Sequence, residues 1–222
     1  MRGRRRERKL APTRQERKAA TRAALLAAAG EAICERGFDG ASVELIAKAA
    51  GYTKGAFYAS FSSKEELFLA ILDERFAAQI ARLERALQGA GDPATEVRAA
   101  TEGFLEQVSS DPSWPRLYQE FATHAARNPA FRKELVARQR RLRGAMAEIF
   151  ARWSARRGIE PPLPPAEIAA MSYWMAEGFL LQRTLDRELE DRLYVELVET
   201  FLAGLMAKVA ESDRGERPLA QV

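Results

Sequence analysis

Only one cysteine, Cys34, and one histidine, His124, occur among the 222 residues. A lone thiol forms no internal disulfide. One histidine and one cysteine, with no acidic cluster spaced for ligation, give no basis for a metal site. Cys34 sits among alanines with nothing nearby to lower its pKa, so it reads as packed and not redox-active. A reducing, cytosolic setting fits this usage. Long apolar runs are missing too: the longest are too short and too interrupted by charge to span a bilayer. Residues 1–18 are basic throughout and never turn apolar, unlike a signal segment. No stretch alternates as a strand does, and no internal repeat is evident. Paired carboxylates at plausible spacing, a nucleophile elbow and a phosphate loop are all lacking. The expectation is a protein that is not an enzyme, with no catalytic residues, no cofactor, no metal and no membrane partner.

What the chain does contain is helix-forming material. Ala, Leu, Arg and Glu dominate, and 47% of the residues are hydrophobic, enough for one sizeable core or for a small head on a larger body. Charge is unevenly placed. Residues 1–18 hold nine Lys/Arg against Glu7 and Glu16, and residues 19–64 hold five basic against four acidic, so the first 64 residues carry +8 of a total of +4 and the rest carry −4. A basic head on an acidic body suggests that the head meets a polyanion. Composition alone does not separate this from a solubilising basic tail.

Capping chemistry divides the chain into helices. Residues 2–12, RGRRRERKLAP, lack an apolar period and are expected to form a disordered basic arm over 1–12. Thr13, with Glu16 three residues on, makes a capping box. The helix it opens carries Leu25, Leu26, Ala29 and Ile33 and stops at Gly37. Ser42 caps a second, short helix with Val43, Ile46, Ala47 and Ala50 inward. Gly51 and Tyr52 turn the chain, and Thr53 caps a third helix from Lys54 to about Ser60. Ser62 and Ser63, each followed by a Glu at the third position, offer overlapping capping boxes for a long fourth helix. Asp92-Pro93, Asp111-Pro112 and Asn128-Pro129 then start helices at about 93–109, 113–126 and 129–157. GIEPPLPP is an extended linker. Helices at about 165–186 and 189–211 follow, with a loose polar tail at 212–222.

The segment 47–57, A-K-A-A-G-Y-T-K-G-A-F, sets two short helices about Gly51 with a small residue at the packing point, which describes a helix-turn-helix. The second helix of such a unit offers its leading residues to the major groove, and its free N–H groups suit a phosphate. The run T-K-G-A-F-Y-A-S-F-S-S-K-E-E-L-F, residues 53–68, resembles the signature of the TetR family of bacterial regulators. Residues 20–38 and 42–51 resemble that family's first two helices, and the match covers about a quarter of the chain. The stretch from Trp114-Pro115 to Phe131 broadly resembles the choline-responsive and related branches.

The resemblance implies an all-α fold of about nine helices: a helix-turn-helix head over 13–63 and an effector-binding and dimerisation body over 64–211. It implies that Thr53 caps the recognition helix and that Thr53 and Lys54 touch phosphates or base edges. Small Gly55 and Ala56 let the backbone approach the groove, and Tyr58 and Lys64 contact phosphates. Ser42 and Tyr52 are further backbone contacts. Phe57, Phe61, Ile46 and Leu67 are core. Each contact has a plainer reading: Tyr58 as a half-buried aromatic with a wet tip, Lys54 and Lys64 as solvated charges, Thr53 as a cap only.

The body is larger than DNA binding needs. An effector site between its helices is expected to draw on Phe104, Tyr118, Phe121, Met146, Tyr173 and Glu177, with His124 and Gln182 as further polar candidates. Aromatics such as Trp114, Trp153 and Trp174 otherwise read as bundle core. Glu177, inside MSYWMAEGFLL, needs a partner: a cationic ligand, an arginine such as Arg183, or water. On the last two helices Met171, Met175, Phe179, Leu197, Phe201 and Leu205 belong to apolar stripes extending to Val209, and Gly178 and Gly204 permit close helix approach. The resemblance assigns these to a homodimer interface. The expected partners are therefore double-stranded DNA, a second copy and an unknown small-molecule effector. The function expected is repression through a palindromic operator, relieved by the effector. An activator or effector-free binder, or an all-helical ligand-binding or scaffold protein whose head docks a protein, remains open.

Overall fold

In a computed structural model the described residues are 13–89, 91–186 and 188–215, with side chains described as far as Leu205 and at Ala207. The expected basic arm at 1–12, the last seven residues of the expected tail and the side chain of Val209 lie outside this set. Among the described residues there are nine helices and no strand. None of those helices is long and apolar enough to cross a membrane.

Thr13 and Glu16 form the capping box that opens α1 (Arg14–Gly40). The Thr13 hydroxyl accepts from the Glu16 N–H at 3.2 Å, and the Glu16 carboxylate accepts from the Thr13 N–H at 2.6 Å. Helical dihedrals fail at Gly37 (φ 71°, ψ 172°), a backbone region open essentially to glycine alone, and one further turn follows to Gly40. Ser42 caps α2 (Val43–Ala49) and Thr53 caps α3 (Lys54–Tyr58). α3 ends two residues before the expected Ser60, because Phe61 turns back into the core as a fully buried ring.

Between α2 and α3 the chain closes with paired bonds, Tyr52 N–H to the Ala47 carbonyl at 2.8 Å and Gly51 N–H to the Lys48 carbonyl at 3.1 Å. This left-handed ending places Gly51 at φ 77°. A Cβ there would meet nothing within 4 Å, so only the backbone resists substitution. Gly51→Ala is expected to lower the stability of the head by about 1–2 kcal/mol, read by denaturant unfolding.

α4 (Lys64–Ala86) starts differently from expectation. In place of two overlapping capping boxes there is one composite cap: Ser63 Oγ accepts from the Glu66 N–H at 3.1 Å, while the Glu66 carboxylate accepts from the Ser62 N–H at 2.6 Å. One carboxylate, reaching back one residue further, satisfies the entry. Compactness divides the chain within α4, after Ile71, and not at its start. Leu67 and Phe68 explain this: both are fully buried, and Phe68 meets Phe38 of α1 edge-on with ring centroids 4.4 Å apart. Leu25, Ile33, Ile46, Phe57 and Phe61 complete the core of the first unit.

The second unit contains the rest of α4 with α5 (Pro93–Ser110), α6 (Trp114–Arg127), α7 (Pro129–Arg156), α8 (Pro165–Leu185) and α9 (Asp191–Gly215). α9 continues four residues beyond the expected end. Asp92 and Asn128 cap as expected, accepting from the N–H groups of Thr95 and Phe131 at 3.0 Å each. Asp111 does not cap α6. Ser113 holds that position without a side-chain bond, because the Asp111 carboxylate is taken by the Ser113 N–H at 3.2 Å and by Arg75 of α4. α7 lies against both α6 and α8, and α5 against α9. The turn from α4 to α5 is clamped by the end of α7. Buried Glu96 accepts from Trp153 Nε1 at 2.7 Å and the Gly91 N–H at 3.0 Å and pairs with Arg157. Arg156 donates to the Leu87 carbonyl at 2.6 Å.

Candidate nucleic-acid interface and ligand cavity

α3 is too short to hold itself together by propagation alone. Two things fix it: its cap, in which Thr53 Oγ1 accepts from the Ala56 N–H at 3.2 Å, and its one buried side chain. Phe57 is fully buried and packs 5.8 Å from Phe61. Everything else on α3 is exposed or half-buried. Lys54, Gly55 and Tyr58 lie on the outside, with Tyr58 51% exposed and Tyr52 beside them 37% exposed. Small residues at 55 and 56 leave this face low, so a groove can approach the backbone.

The structure brings Tyr52, Thr53, Lys54, Gly55, Ala56 and Tyr58 onto α3 and its entry. Ser42 stands apart as the cap of α2, its hydroxyl accepting from the Leu45 N–H at 3.2 Å. Lys64 is half-buried: its ammonium donates to the Phe38 carbonyl at 2.7 Å and lies 4.6 Å from the Phe38 ring centroid. That contact ties α4 to the end of α1. Sequence reasoning missed Glu44. On the first turn of α2, it pairs with exposed Lys54. The hydrogen bond from Lys54 draws the Glu44 carboxyl below its ordinary value, and Glu44 raises Lys54 in turn. Both side chains are more than half exposed, so an incoming phosphate can reach the ammonium in competition with Glu44. Arg22, also missed, lies 4.3 Å from the Phe61 ring centroid. The spacing of Glu44 and Lys54 across a turn carries no sequence signal.

The second unit encloses a cavity of about 230 Å³. Its wall is drawn from α4, α5, α7, α8, α9 and the proline-rich linker. Of the six side chains expected at an effector site, Phe104, Met146 and Tyr173 line it; Tyr118, Phe121 and Glu177 do not. Phe121 is fully buried, 6.4 Å from the Phe131 ring. Tyr118 and Glu177 join Tyr173 in a hydrogen-bonded chain. The two phenol oxygens are 2.7 Å apart, Tyr173 donates to Glu177 at 2.5 Å, and Gln139 donates to Tyr118 at 2.5 Å. Burial pushes both phenols upward, so they stay neutral donors. The partner of Glu177 is thus a tyrosine. Arg183 pairs with Asp191 instead. His124 lies edge-on to Phe131 at 4.9 Å. Among the described residues no group of three or more His, Cys, Asp and Glu is placed to hold a metal.

On α8 and α9 the apolar stripes split. Phe179 and Leu205 are buried within the chain, Met171, Met175 and Phe201 are half-buried, and Leu197 is 46% exposed. Trp174, expected in the core, is 61% exposed, and Leu185, Leu193 and Leu181 are also exposed. α8 is apolar on nearly every side, so its period does not say which side faces inward. A Cβ at Gly178 or Gly204 would meet nothing within 4 Å.

Residues 25–71 match the family profile of bacterial regulatory proteins of the tetR family, and residues 93–207 match that of the BetI-type transcriptional repressor C-terminal region. The transcriptional activator FasR of Mycolicibacterium smegmatis is 36% identical over 99 residues, 45% of each chain. The transcriptional repressor NemR of Escherichia coli K12 is 39% identical over 84 residues, 37% of this chain and 42% of NemR. The chain thus spans less than half the length of the curated relatives it matches. Among solved structures, the fatty acid degradation regulator FadR of Bacillus halodurans superposes with a TM-score of 0.71 at 19% identity, over 83% of this chain and 95% of that one. FadR of Bacillus subtilis in complex with stearoyl-CoA gives 0.67 at 19%, over 82% and 96%. At such identities these likenesses speak to the fold.

Proposed function

Because the chain belongs to the TetR family of bacterial transcriptional regulators, we propose that it is a cytoplasmic, non-enzymatic repressor that binds a palindromic operator as a homodimer and is released by a small-molecule effector. The observation that carries the DNA-binding part is α3: a helix anchored by one buried ring, with Lys54, Gly55 and Tyr58 presented outward. Repression is favoured because the profile matching residues 93–207 is that of a repressor. FasR, an activator, shows that the sign can differ between relatives. We place the domains at 13–63 for the head and 64–211 for the effector-binding and dimerisation body, α4 being shared between them because its opening turns, with Leu67 and Phe68, pack into the core of the head.

Dimerisation is supported by the exposed apolar side chains Trp174, Leu185, Leu193 and Leu197 on α8 and α9, with Gly178 and Gly204 open to close approach. A palindromic operator presents its half-sites about 34 Å apart, one turn of duplex, and a second copy paired through these helices would supply the second recognition helix. The cavity is the effector site in this reading. α4 supplies Gln79, Arg82 and Leu83 to its wall and begins at Lys64, so an occupant that favours one position of α4 biases the spacing of the heads. The effector acts only as far as its affinities for the two states differ.

The test is duplex binding against salt, using genomic fragments selected by the purified protein. Removing a single cation–phosphate interaction should reduce the slope of log K against log salt by about 0.9. Lys54→Ala is expected to remove one such interaction. Deletion of residues 1–9, which takes away Arg4, Arg5, Arg6, Arg8 and Lys9, is expected to remove several and to weaken binding to all sequences alike. Slopes unchanged in both variants would exclude the head and the arm from the DNA interface.

A further inference from the structure

The walls of the cavity are apolar, and most of their polar groups are already committed. Thr101, Ser154 and Ser172 donate their hydroxyl protons to backbone carbonyls one turn back, at 2.9, 2.8 and 2.9 Å. Trp153 gives its N–H to Glu96 and Tyr173 its hydroxyl to Glu177. What remains is Arg82 with the Gln79 and Gln107 amides and the Tyr194 hydroxyl. Burial pushes the Tyr194 phenol upward, which keeps it a neutral donor. No Asp or Glu is among the described residues lining the cavity.

Arg82 is the exceptional member. Its Nε is sealed from solvent with no hydrogen-bond partner, and its guanidinium forms no ion pair among the described residues. The seam between α4 and α5 shows why. Arg75 of α4 meets the carboxylate of Asp111, just past the end of α5. Two turns further along α4, Arg82 comes to Gly103 of α5, where a Cβ would stand 3.8 Å from Arg82 Cδ. The first arginine has an acid opposite it and the second has a glycine. Gln107 lies one turn from Gly103 on α5 and Gln79 one turn from Arg82 on α4, so uncommitted donors gather at this wall. A partly buried cation without a counter-charge is costly unless something supplies one.

We infer that the cavity takes an anionic amphiphile, an apolar body with a single carboxylate-like head, and that Arg82 binds the head. This rests on the cavity being the effector site and adds the charge of its occupant. It runs against a cationic ligand of the kind the choline-responsive branches suggest: aromatic walls are present, but the carboxylate that a quaternary ammonium would seek is not among the residues described there. Arg82 is a bidentate fork suited to a carboxylate, and the apolar wall drawn from α7, α8 and α9 takes the tail.

The experiment uses the full chain and three probes of one length, decanoate, 1-decanol and decyltrimethylammonium, titrated by calorimetry below micelle formation. Decanoate is expected to bind about tenfold or more tighter than the other two, the worth of a hydrogen bond to a charged group. Arg82→Gln should remove that advantage while leaving 1-decanol within about twofold, and Arg82→Lys should restore part of it. A second variant approaches from the other side of the seam. Gly103→Asp puts an acid opposite Arg82, its Cβ at ordinary contact distance from the arginine stem, and should raise thermal stability and abolish the preference for decanoate. Equal binding of the three probes, tighter binding of the ammonium, no binding of decanoate, or a decanoate affinity indifferent to both Arg82→Gln and Gly103→Asp would each overturn the assignment. If decanoate binds through Arg82 but leaves operator affinity unchanged, the charge assignment stands and the reading of the cavity as the effector site falls.

Discussion

Phe57→Ala is expected to cost the head about 3–5 kcal/mol, whereas Tyr58→Ala should change its stability by no more than about 0.5 kcal/mol and lower operator affinity about tenfold or more. The two are neighbours on a five-residue helix, and their rings meet edge-on with centroids 5.3 Å apart. Phe57 is fully buried and is the one residue of α3 inside the core, so its truncation leaves a cavity beneath the helix and no anchor for it. Tyr58 is half exposed. If its hydroxyl donates to a phosphate, as proposed, truncation removes a hydrogen bond to a charged group, worth about 1.5–3 kcal/mol. The two compact units need not unfold together, so stability is best read from hydrogen exchange of the head amides and affinity from duplex titration at fixed salt. A Tyr58→Ala protein that binds duplex as the wild type does would mean that the outward face of α3 is not the reading surface.

In the second unit a comparably large destabilisation is expected from Arg157→Ala. It leaves the Glu96 carboxylate buried without its cation, a change that costs about 3–5 kcal/mol when one member of a buried pair is removed. The Trp153 and Gly91 bonds to Glu96 remain, so the turn between α4 and α5 should loosen before it opens. Replacing both partners by leucine should recover part of the stability, since no unpaired charge is then left inside, although the Trp153 and Gly91 N–H groups lose their acceptor. Acid titration gives an independent check. The hydrogen bond from Trp153, then the Gly91 N–H and the charge of Arg157, hold the Glu96 carboxyl below its ordinary value of 4.5 against the opposing effect of burial. A depressed native pKa means that Glu96 contributes stability above the ordinary value and loses it as pH falls from there through the native one. Without Arg157 the native value moves up, so the acid-induced loss should shrink. Unfolding curves of wild type and Arg157→Ala that run parallel below pH 4.5 would show that the pair does not bear on folding.

Much of the fold is readable from the chain because it is local. Thr13 with Glu16, Ser42, Thr53, Asp92 and Asn128 act on N–H groups within three residues of themselves, and all five cap helices as their positions suggest. Asp111 departs from expectation because a distant group intervenes: it is held by Arg75, thirty-six residues earlier in the chain, whereas the changed cap of α4 is still local, Glu66 reaching back to Ser62. The outward set on α3 is legible for the same reason. On so short a helix, one buried ring decides which side faces out.

The body is legible as helices but not as a site. Tyr118, Tyr173 and Glu177 stand out one by one, yet that Tyr118 and Tyr173 face each other depends on how α6 lies against α8. Arg82 and Gly103 do not stand out, since an arginine on an amphipathic helix and a glycine in another carry no signal until the two helices lie side by side. Trp174 reads as core because α8 is apolar on nearly every side, and only packing decides which side a neighbour covers.

Sequence by itself settled the helices, most of their ends and the exposed face of α3, because caps, prolines and one aromatic anchor act within a turn or two of backbone. Tertiary structure alone decided which arginine goes unpaired, which tyrosines share a hydrogen bond and which leucines stay in water. Those outcomes depend on distances between helices far apart in the chain, and periodicity within one helix holds no information about them.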